Sequence, residues 1–536
     1  MIPLDGLFAV LSLPALIVSS DFVPGGGPLN GRRLAGQQLL RLWAGIAQAQ
    51  PITLLMAQIA DAPLFTKLLQ EAGHTGPLQV LPLHSPLPLA AVGGMFVADA
   101  SIGRWAQWRR PASQAAFSLI GQIHTICTPA AIAQITDLAT ESLAPWDALI
   151  CSSTAGKAVV EALITDREHQ LIDRTGGSMA RLIAQRPQLP VIPLPIPAAQ
   201  IAAAMPSRAE ARAALAIPNN AHVLLWLGRL SMLTKQDPWP TYQMLQAVAT
   251  RLDQPLILLE CGQNDTPAQA QHFQELRNIC PAVQFLRLGG SEPIAEKIKY
   301  QAMAAADIGL FLVDNLQETF GLAVAEAMAA GLPLVASDWD GFRDLVRHGI
   351  DGFLVPTRFA SSAFSLSTPL AWQQLIGLRS YPEVAGAFAQ LVQIDMCNAF
   401  SALLTLLLNP ELRRAMAKRA AERALNNFDQ VVVKQKYIEL FSSLAELRKS
   451  ASSQCHQPQN PPAAQDLARA FASFPSDSAQ QPPPLIQATP LDNLPSQVLA
   501  GRAGLWQLLL DLLPASDQQQ LLSELAAKHS PMHSFK

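Results

Sequence analysis

Two series of short apolar runs, each alternating with helical patterns, make up most of this 536-residue chain. Alternation of this kind is typical of βαβ units, which build a parallel sheet with helices on both faces. The first series predicts strands at 13–20, 51–58, 78–83, 94–99, 117–125 and 147–153. The second predicts strands near 222–228, 255–261, 283–288, 306–313, 333–337 and 352–355. The sequence therefore predicts an α/β fold with two doubly wound, Rossmann-like domains in series.

A proline-rich stretch separates the two series. Four prolines in the nine residues Leu189–Pro197 predict a stiff, extended crossing between domains. We therefore expect a first domain over 1–197 and a second over 198–448, with the last helices able to pack back on the first. Segment 359–397 has no clear pattern, and we interpret it as an insertion.

The composition changes after the second domain. Residues 449–495 are rich in Pro, Gln and Ser, which predicts an extended or disordered linker. Residues 496–536 carry leucines at helical spacing and predict a small helical hairpin. Such a hairpin could dock on this chain or on a partner protein, or it could be a plain structural cap.

Charge and cysteine content narrow the functional class. The formal net charge is −3, and no basic run is interleaved with aromatics, so nucleic-acid binding is not favoured. The six cysteines form no CxxC motif or Cys/His cluster, which favours free thiols in a reducing cytosol. Asp338 and Asp340 follow a predicted strand, but no third ligand stands at clear spacing, so we expect no bound metal.

The apolar N-terminus could pass for a signal peptide. It contains Asp5 and no Lys or Arg before Arg32, so the basic segment of a signal peptide is missing. We interpret residues 13–20 as the first core strand instead. Because no other apolar run is long enough to span a bilayer, we expect a cytoplasmic protein. Peripheral attachment to the inner face of a membrane stays open.

The stretch from Glu318 to Glu326 gives the most chemical information. It follows the apolar run 306–313 and leads into an Ala-rich helix that begins near Leu322 and stops at Gly331. Backbone N–H groups at a helix start form an anion site. A buried Glu326 inside the helix is costly unless it is paired or accepts hydroxyl hydrogen bonds. Two acids around such a helix start suggest a ligand with both phosphates and hydroxyls, as in a sugar nucleotide.

Two cations and a histidine follow other predicted strands. Arg229 comes directly after strand 222–228 and Lys235 six residues later, at the sheet edge where ligands of such folds bind. Both side chains suit phosphate oxygens, although ordinary surface charge would also explain them. His124 lies at the end of strand 117–125 and is either structural or a contact for a phosphate or sugar hydroxyl.

A run of three glycines, Gly25, Gly26 and Gly27, precedes a predicted helix over 30–48. Glycines at this place let the backbone approach a ligand closely. A flexible turn is the other interpretation.

Several of these motifs together resemble a known family. The stretch Gly228–Thr357 is similar to the donor-binding domain of retaining family-4 glycosyltransferases, the glycosyl transferases group 1, which have the GT-B fold. The residues that carry the resemblance are Gly228, Arg229, Lys235, Glu318, Phe320, Gly321, Leu322, Glu326–Pro333 and Gly352–Pro356. A weaker similarity in the first domain covers the glycine run, His124 and Trp146–Ser153. The resemblance implies two domains facing a central cleft, with the C-terminal helical extension as an addition.

The resemblance also implies a role for each matched residue. Arg229 and Lys235 should hold the donor diphosphate and stabilise the leaving group. Glu326 should accept hydrogen bonds from the ribose, and Glu318 should contact the transferred sugar. His124 resembles the family's histidine near the reacting centre, which implies a catalytic role. Donor contacts are also implied for the backbone of Phe320, Gly321 and Leu322, and for Gly26 and Gly27 closing over the diphosphate.

The implied reaction is transfer of a sugar from a UDP- or GDP-sugar to an unknown acceptor, with retention of configuration and no metal or other cofactor. Such a reaction belongs to polysaccharide or glycoconjugate biosynthesis. The residues after Gly27 depart from the family pattern. Two alternatives share the fold: a sugar-nucleotide epimerase, which would need further acid/base groups, and a non-catalytic scaffold that recruits partners.

Overall fold

The computed structural model describes residues 13–19, 22–23, 31–451, 467–474, 503–513 and 515–529. The chain divides into two compact units, Met1–Gln457 and Pro458–Lys536. The glycine run Gly25–Gly27 and most of the predicted linker 449–495 lie outside the described residues.

The first sheet is parallel and six-stranded. Its strands are β1 (Ala15–Ile17), β2 (Ile52–Met56), β3 (Leu78–Pro82), β4 (Gly94–Val97), β5 (Ser118–Gln122) and β6 (Ala148–Ile150). They lie in the order β3-β2-β1-β4-β5-β6, which is the order of a doubly wound nucleotide-binding fold. The accompanying helices are α1 (Gly31–Ala47), α2 (Ala62–Glu71), α3 (Leu89–Val92), α4 (Ile102–Arg109), α5 (Pro129–Asp137), α6 (Thr154–Thr175) and α7 (Met179–Ala184).

The second sheet repeats this topology. Its strands are β7 (His222–Leu227), β8 (Leu256–Cys261), β9 (Val283–Leu288), β10 (Ile308–Phe311), β11 (Leu334–Ser337) and β12 (Gly352–Val355), in the order β12-β11-β10-β7-β8-β9. Its helices are α8 (Ala198–Ala204), α9 (Arg208–Ala214), α10 (Pro238–Ala249), α11 (Pro267–Asn278), α12 (Glu296–Ala305), α13 (Leu322–Ala329) and α14 (Phe342–Leu345). The prediction of two doubly wound domains is confirmed.

Most strand residues are apolar because helices cover both faces of each sheet. All six residues of β8 and all four of β10 are buried. This leaves the carboxyl ends of the parallel strands, where loops replace helices, as the place at which polar side chains gather.

The proline-rich segment runs beside β6 before it enters the second domain. Cys151 N donates to Pro190 O and Ile192 N donates to Cys151 O, both at 2.9 Å. The segment then meets the chain on its way back, because Ile196 N donates to Phe428 O and Gln430 N donates to Ile196 O, both at 2.9 Å.

The last helices of this unit are α17 (Met396–Leu408), α18 (Pro410–Asn427) and α19 (Gln430–Ala451). Helix α19 packs in the core of the first domain through Val433, Tyr437 and Phe441. Tyr437 Oη also donates to Gln122 Oε1 at 2.9 Å. After the second domain, the chain thus returns to the first domain through α19.

Segment 359–397, unassigned from sequence, forms a small module on the second domain. Strands β13 (Thr357–Phe359) and β14 (Val392–Ile394) pair antiparallel at its base. Helices α15 (Ala363–Leu375) and α16 (Tyr381–Ala389) lie between them. Ala363 is the one buried residue of α15.

The second unit contains the described helices α20 (Leu467–Ala470), α21 (Ala503–Leu510) and α22 (Ala515–His529), so the predicted helical extension is present. Several of its leucines are exposed, namely Leu505, Leu508, Leu509 and Leu512. Within the described ranges, no helix is both long enough and apolar enough to cross a membrane.

Candidate functional site

A cavity of about 680 Å³ lies between the carboxyl ends of the two sheets. The first domain contributes Leu34, Gln37, His124 and Thr125 to its lining. The second domain contributes the loops after β7, β8 and β10 and the start of α13. Ten residues were predicted as site residues, and two of them, Gly26 and Gly27, lie outside the described residues. The other eight all line the cavity: His124, Arg229, Lys235, Glu318, Phe320, Gly321, Leu322 and Glu326.

Gly321 sets the start of α13. Its φ of +106° lies in the left-handed region, and a Cβ built on it would lie 2.6 Å from Phe342 Cε1. Both facts exclude a side chain at this position without rearrangement. Helix α13 therefore begins at Leu322, on the cavity wall, where the first N–H groups have no partner within the helix.

Glu326 forms a buried ion pair that sequence reasoning missed. Its side chain is 8% exposed, and Lys299 Nζ on α12 donates to Oε1 at 2.9 Å. Burial lowers the pKa of Lys299, but the charge of Glu326 and this hydrogen bond outweigh it, so the pKa is raised overall. Lys299 therefore stays charged, and the Glu326 carboxylate has the partner that its burial requires.

Lys235 and Arg229 are each held by a carboxylate. Lys235 Nζ donates to Glu318 Oε2, and the two side chains are 26% and 16% exposed. Arg229 Nη1 donates to Asp265 Oδ1 at 2.9 Å. These pairs fix two flexible cations at the cavity wall, beside the start of α13.

The loop after β10 also joins the two domains. Thr319 Oγ1 donates to the backbone oxygen of His124 at 2.7 Å, and Ser152 Oγ donates to the backbone oxygen of Thr319 at 3.1 Å. His124 therefore lies against the same loop that carries Glu318, as its place at a strand end suggested.

Two further residues near this loop were not predicted as site residues. Tyr381, at the start of α16, lines the cavity and donates from Oη to Gln317 Oε1 at 2.9 Å. Asp340 has a φ of +43°, and burial together with the charge of Glu318 raises its pKa to about 8. Tyr381 could not be found from sequence because segment 359–397 showed no pattern.

Asp338, the other acid of that loop, pairs with Arg343 at 3.1 Å. Across the described part of the chain, no three His, Cys, Asp or Glu side chains are grouped so that they could hold a metal ion.

Part of the second domain is similar to a known family. Residues 221–366 match the family model for Glycosyl transferases group 1. This segment contains Arg229, Lys235, Lys299, Glu318 and Glu326, whereas Tyr381 lies beyond it.

Curated relatives match over part of their length. A D-inositol 3-phosphate glycosyltransferase from a Nocardioides species is 32% identical over 161 residues, which is 28% of this chain and 34% of the relative. One from Geodermatophilus obscurus is 30% identical over 240 residues, 43% of this chain and 49% of the relative. The chain thus spans between a third and a half of these two relatives.

The likeness in fold extends beyond residues 221–366. The N-terminal domain of the Candida albicans trehalose-6-phosphate phosphatase aligns with 80% of this chain and 98% of its own, with a TM-score of 0.50 and 10% identity. At this identity the likeness concerns the fold alone. Together with the two sheets and the match over residues 221–366, it identifies the architecture as GT-B.

Proposed function

We propose that this protein is a glycosyltransferase that moves a sugar from a nucleoside-diphosphate sugar to an acceptor hydroxyl, with retention of configuration. The observation that carries the proposal is the arrangement around the start of α13. Lys235 and Glu318 form one pair beside this helix start, Lys299 and Glu326 form a second, and all four side chains line one cavity.

The donor would lie along this arrangement. Arg229, Lys235 and the first N–H groups of α13 suit a diphosphate, since cations and a helix start both attract negative charge. Glu326 suits the ribose hydroxyls and Glu318 those of the transferred sugar, because carboxylates accept hydrogen bonds from hydroxyls. The glycine run, Gly26 and Gly27, is proposed to close over the diphosphate.

Bond cleavage would leave negative charge on the departing phosphate. Lys235 and Arg229, fixed by their carboxylate partners, are set to stabilise this charge as it develops, without having to reorganise. The acceptor attacks from the face that the phosphate leaves, and a phosphate oxygen takes the acceptor proton, which gives retention. His124 lies beside the Glu318 loop and is proposed to contact the reacting centre.

No cofactor takes part in this scheme, in which the nucleotide sugar is a co-substrate. The curated relatives support the reaction class, because both are glycosyltransferases. Free thiols at Cys127, Cys151, Cys261, Cys280 and Cys397 fit a reducing compartment, and we propose a cytoplasmic reaction. The acceptor stays open.

A ligand screen followed by an assay tests the proposal. Thermal unfolding is measured with UDP, GDP and ADP, because a ligand that binds the native state raises the midpoint. UDP- and GDP-sugars are then incubated with the protein and candidate acceptors, and the products are weighed by mass spectrometry.

We expect one nucleoside diphosphate to stabilise the protein and a product that is heavier than its acceptor by one sugar residue. Conversion of the donor into an isomeric sugar nucleotide would support the epimerase instead. If none of the nucleotides stabilises the protein, the result would support the non-catalytic scaffold.

A further inference from the structure

We infer that Lys299 determines specificity for the ribose, reading its hydroxyls together with Glu326. The site would then accept ribonucleoside diphosphates and reject their 2′-deoxy forms. This inference rests on the proposed function, because it concerns the nucleotide end of the same cavity.

Both charged groups are available to a ligand in the cavity. Lys299 Nζ carries three N–H donors, of which one is given to Glu326 Oε1 at 2.9 Å. The Glu326 carboxylate has about four acceptor positions, of which Lys299 occupies one. Both side chains line the cavity, and they are 21% and 8% exposed.

The pair matches the hydrogen-bonding character of a hydroxyl group. Each ribose hydroxyl is both a donor and an acceptor. A carboxylate alone satisfies the donor only, whereas a carboxylate beside an ammonium satisfies both. A ligand without the 2′-hydroxyl would leave one of these half-buried charged groups with a partner missing, and such a loss weakens binding strongly.

A purely structural ion pair would behave differently. If Lys299 only held α12 against α13, its loss would weaken binding of every nucleotide by the same factor. A residue that contacts the ribose affects the ribo form more than the 2′-deoxy form. The ratio of the two dissociation constants therefore separates the two roles.

The experiment compares the wild-type protein and three variants with ribonucleotides and their 2′-deoxy forms. Dissociation constants for UDP and 2′-deoxy-UDP, and for GDP and 2′-deoxy-GDP, are measured by calorimetry with the full chain and with Lys299→Met. The matched control is Lys297→Met, two residues away on α12, where the lysine is exposed and outside the cavity lining. Lys299→Arg keeps the positive charge and the donors.

We expect the wild-type protein and Lys297→Met to favour the ribonucleotide by roughly tenfold to a hundredfold, the range for hydrogen bonds to charged groups. Lys299→Met should bind the ribonucleotide more weakly and reduce this preference to below about threefold. Lys299→Arg should recover part of it.

Three outcomes would overturn the inference. The first is equal binding of the ribonucleotide and its 2′-deoxy form by the wild-type protein. This outcome overturns the inference even if Lys299→Met fails to fold. The second is a folded Lys299→Met variant that keeps the wild-type preference for the ribonucleotide. Failure to bind any of these four nucleotides and ADP would overturn the proposed function itself, and is thereby distinguished from the first two outcomes.

Discussion

At the scale of single residues, the cavity pairs every cation that was predicted to bind phosphate with an acid. The pairs are Arg229 with Asp265, Lys235 with Glu318, and, beyond the prediction, Lys299 with Glu326. Each cation is thus fixed in place before a ligand binds. A phosphate group must then compete with the carboxylate for the cation.

The roles proposed for Glu326 and Lys235 can be distinguished by measuring binding and turnover separately. We expect Glu326→Ala to weaken nucleoside-diphosphate binding by about tenfold or more, because a hydrogen bond to a charged group is lost. We expect Lys235→Ala to lower kcat by roughly a hundredfold, because charge on the leaving group loses its partner. Calorimetry and steady-state rates measure the two effects. Near-wild-type transfer in both variants would contradict the assignment of the site.

Asp340 should make stability depend on pH. Burial and the charge of Glu318 raise its pKa to about 8, well above the usual value of a carboxyl group. The folded state therefore holds a proton that the unfolded state releases near pH 4. We expect this contribution to the free energy of unfolding to be complete below about pH 4 and to be lost as the pH rises towards 8.

Urea denaturation of wild type and Asp340→Asn between pH 4 and 9 measures this dependence. The Asn variant cannot ionise, so its stability should fall less over this range. Parallel pH profiles for the two proteins would show that Asp340 does not titrate in this way.

At the scale of elements, the start of α13 depends on a single glycine. Gly321→Ala would place a methyl group 2.6 Å from Phe342 Cε1 on a backbone with φ of +106°. We expect a loss of about 1–3 kcal/mol in the free energy of unfolding. Because Leu322 and its N–H group would shift, nucleotide binding should weaken as well.

Gly290→Ala is the matched control for this change. Its added methyl group would meet nothing within 4 Å, and its φ lies outside the left-handed region. Chemical denaturation of both variants compares them directly. Equal stability of Gly321→Ala and Gly290→Ala would exclude a special role for the glycine.

The elements show why part of the site was predictable. Strands such as β10 are short, apolar and buried throughout, so their positions and their carboxyl ends follow from the sequence. Arg229, Lys235 and Glu318 were found because they follow such strands. Helix α15 left no pattern because it contains Pro369 and buries one side chain, so a helical stripe of core residues is missing.

Lys299 is a residue of the candidate site that the sequence did not reveal. It lies in α12, and nothing in the sequence around it distinguishes it from an exposed lysine such as Lys297. The sequence indicated only that a buried Glu326 would have to be paired or accept hydrogen bonds from hydroxyl groups. Which of the chain's cations pairs with Glu326 depends on how α12 packs against α13, which periodicity does not encode.

At the scale of the whole molecule, the described residues that line the cavity all belong to the first unit. They lie between Leu34 and Pro382, whereas the second unit begins at Pro458. We expect a chain that ends at Gln457 to fold and to bind the nucleoside diphosphate within about twofold of the full chain, because its donor contacts are intact. Calorimetry on both chains checks this, and a loss of binding would assign residues 458–536 a part in the donor site.

The chain crosses between its two domains twice, and the two crossings are hydrogen-bonded to each other at Ile196, Phe428 and Gln430. Asp429 adds a further tie, because its Oδ2 accepts from Ala199 N at 3.0 Å. The two covalent links between the domains are therefore fastened to each other at one place. We expect a change in the width of the cleft to be a rotation of the two domains about this place, which a distance measured across the cleft would follow.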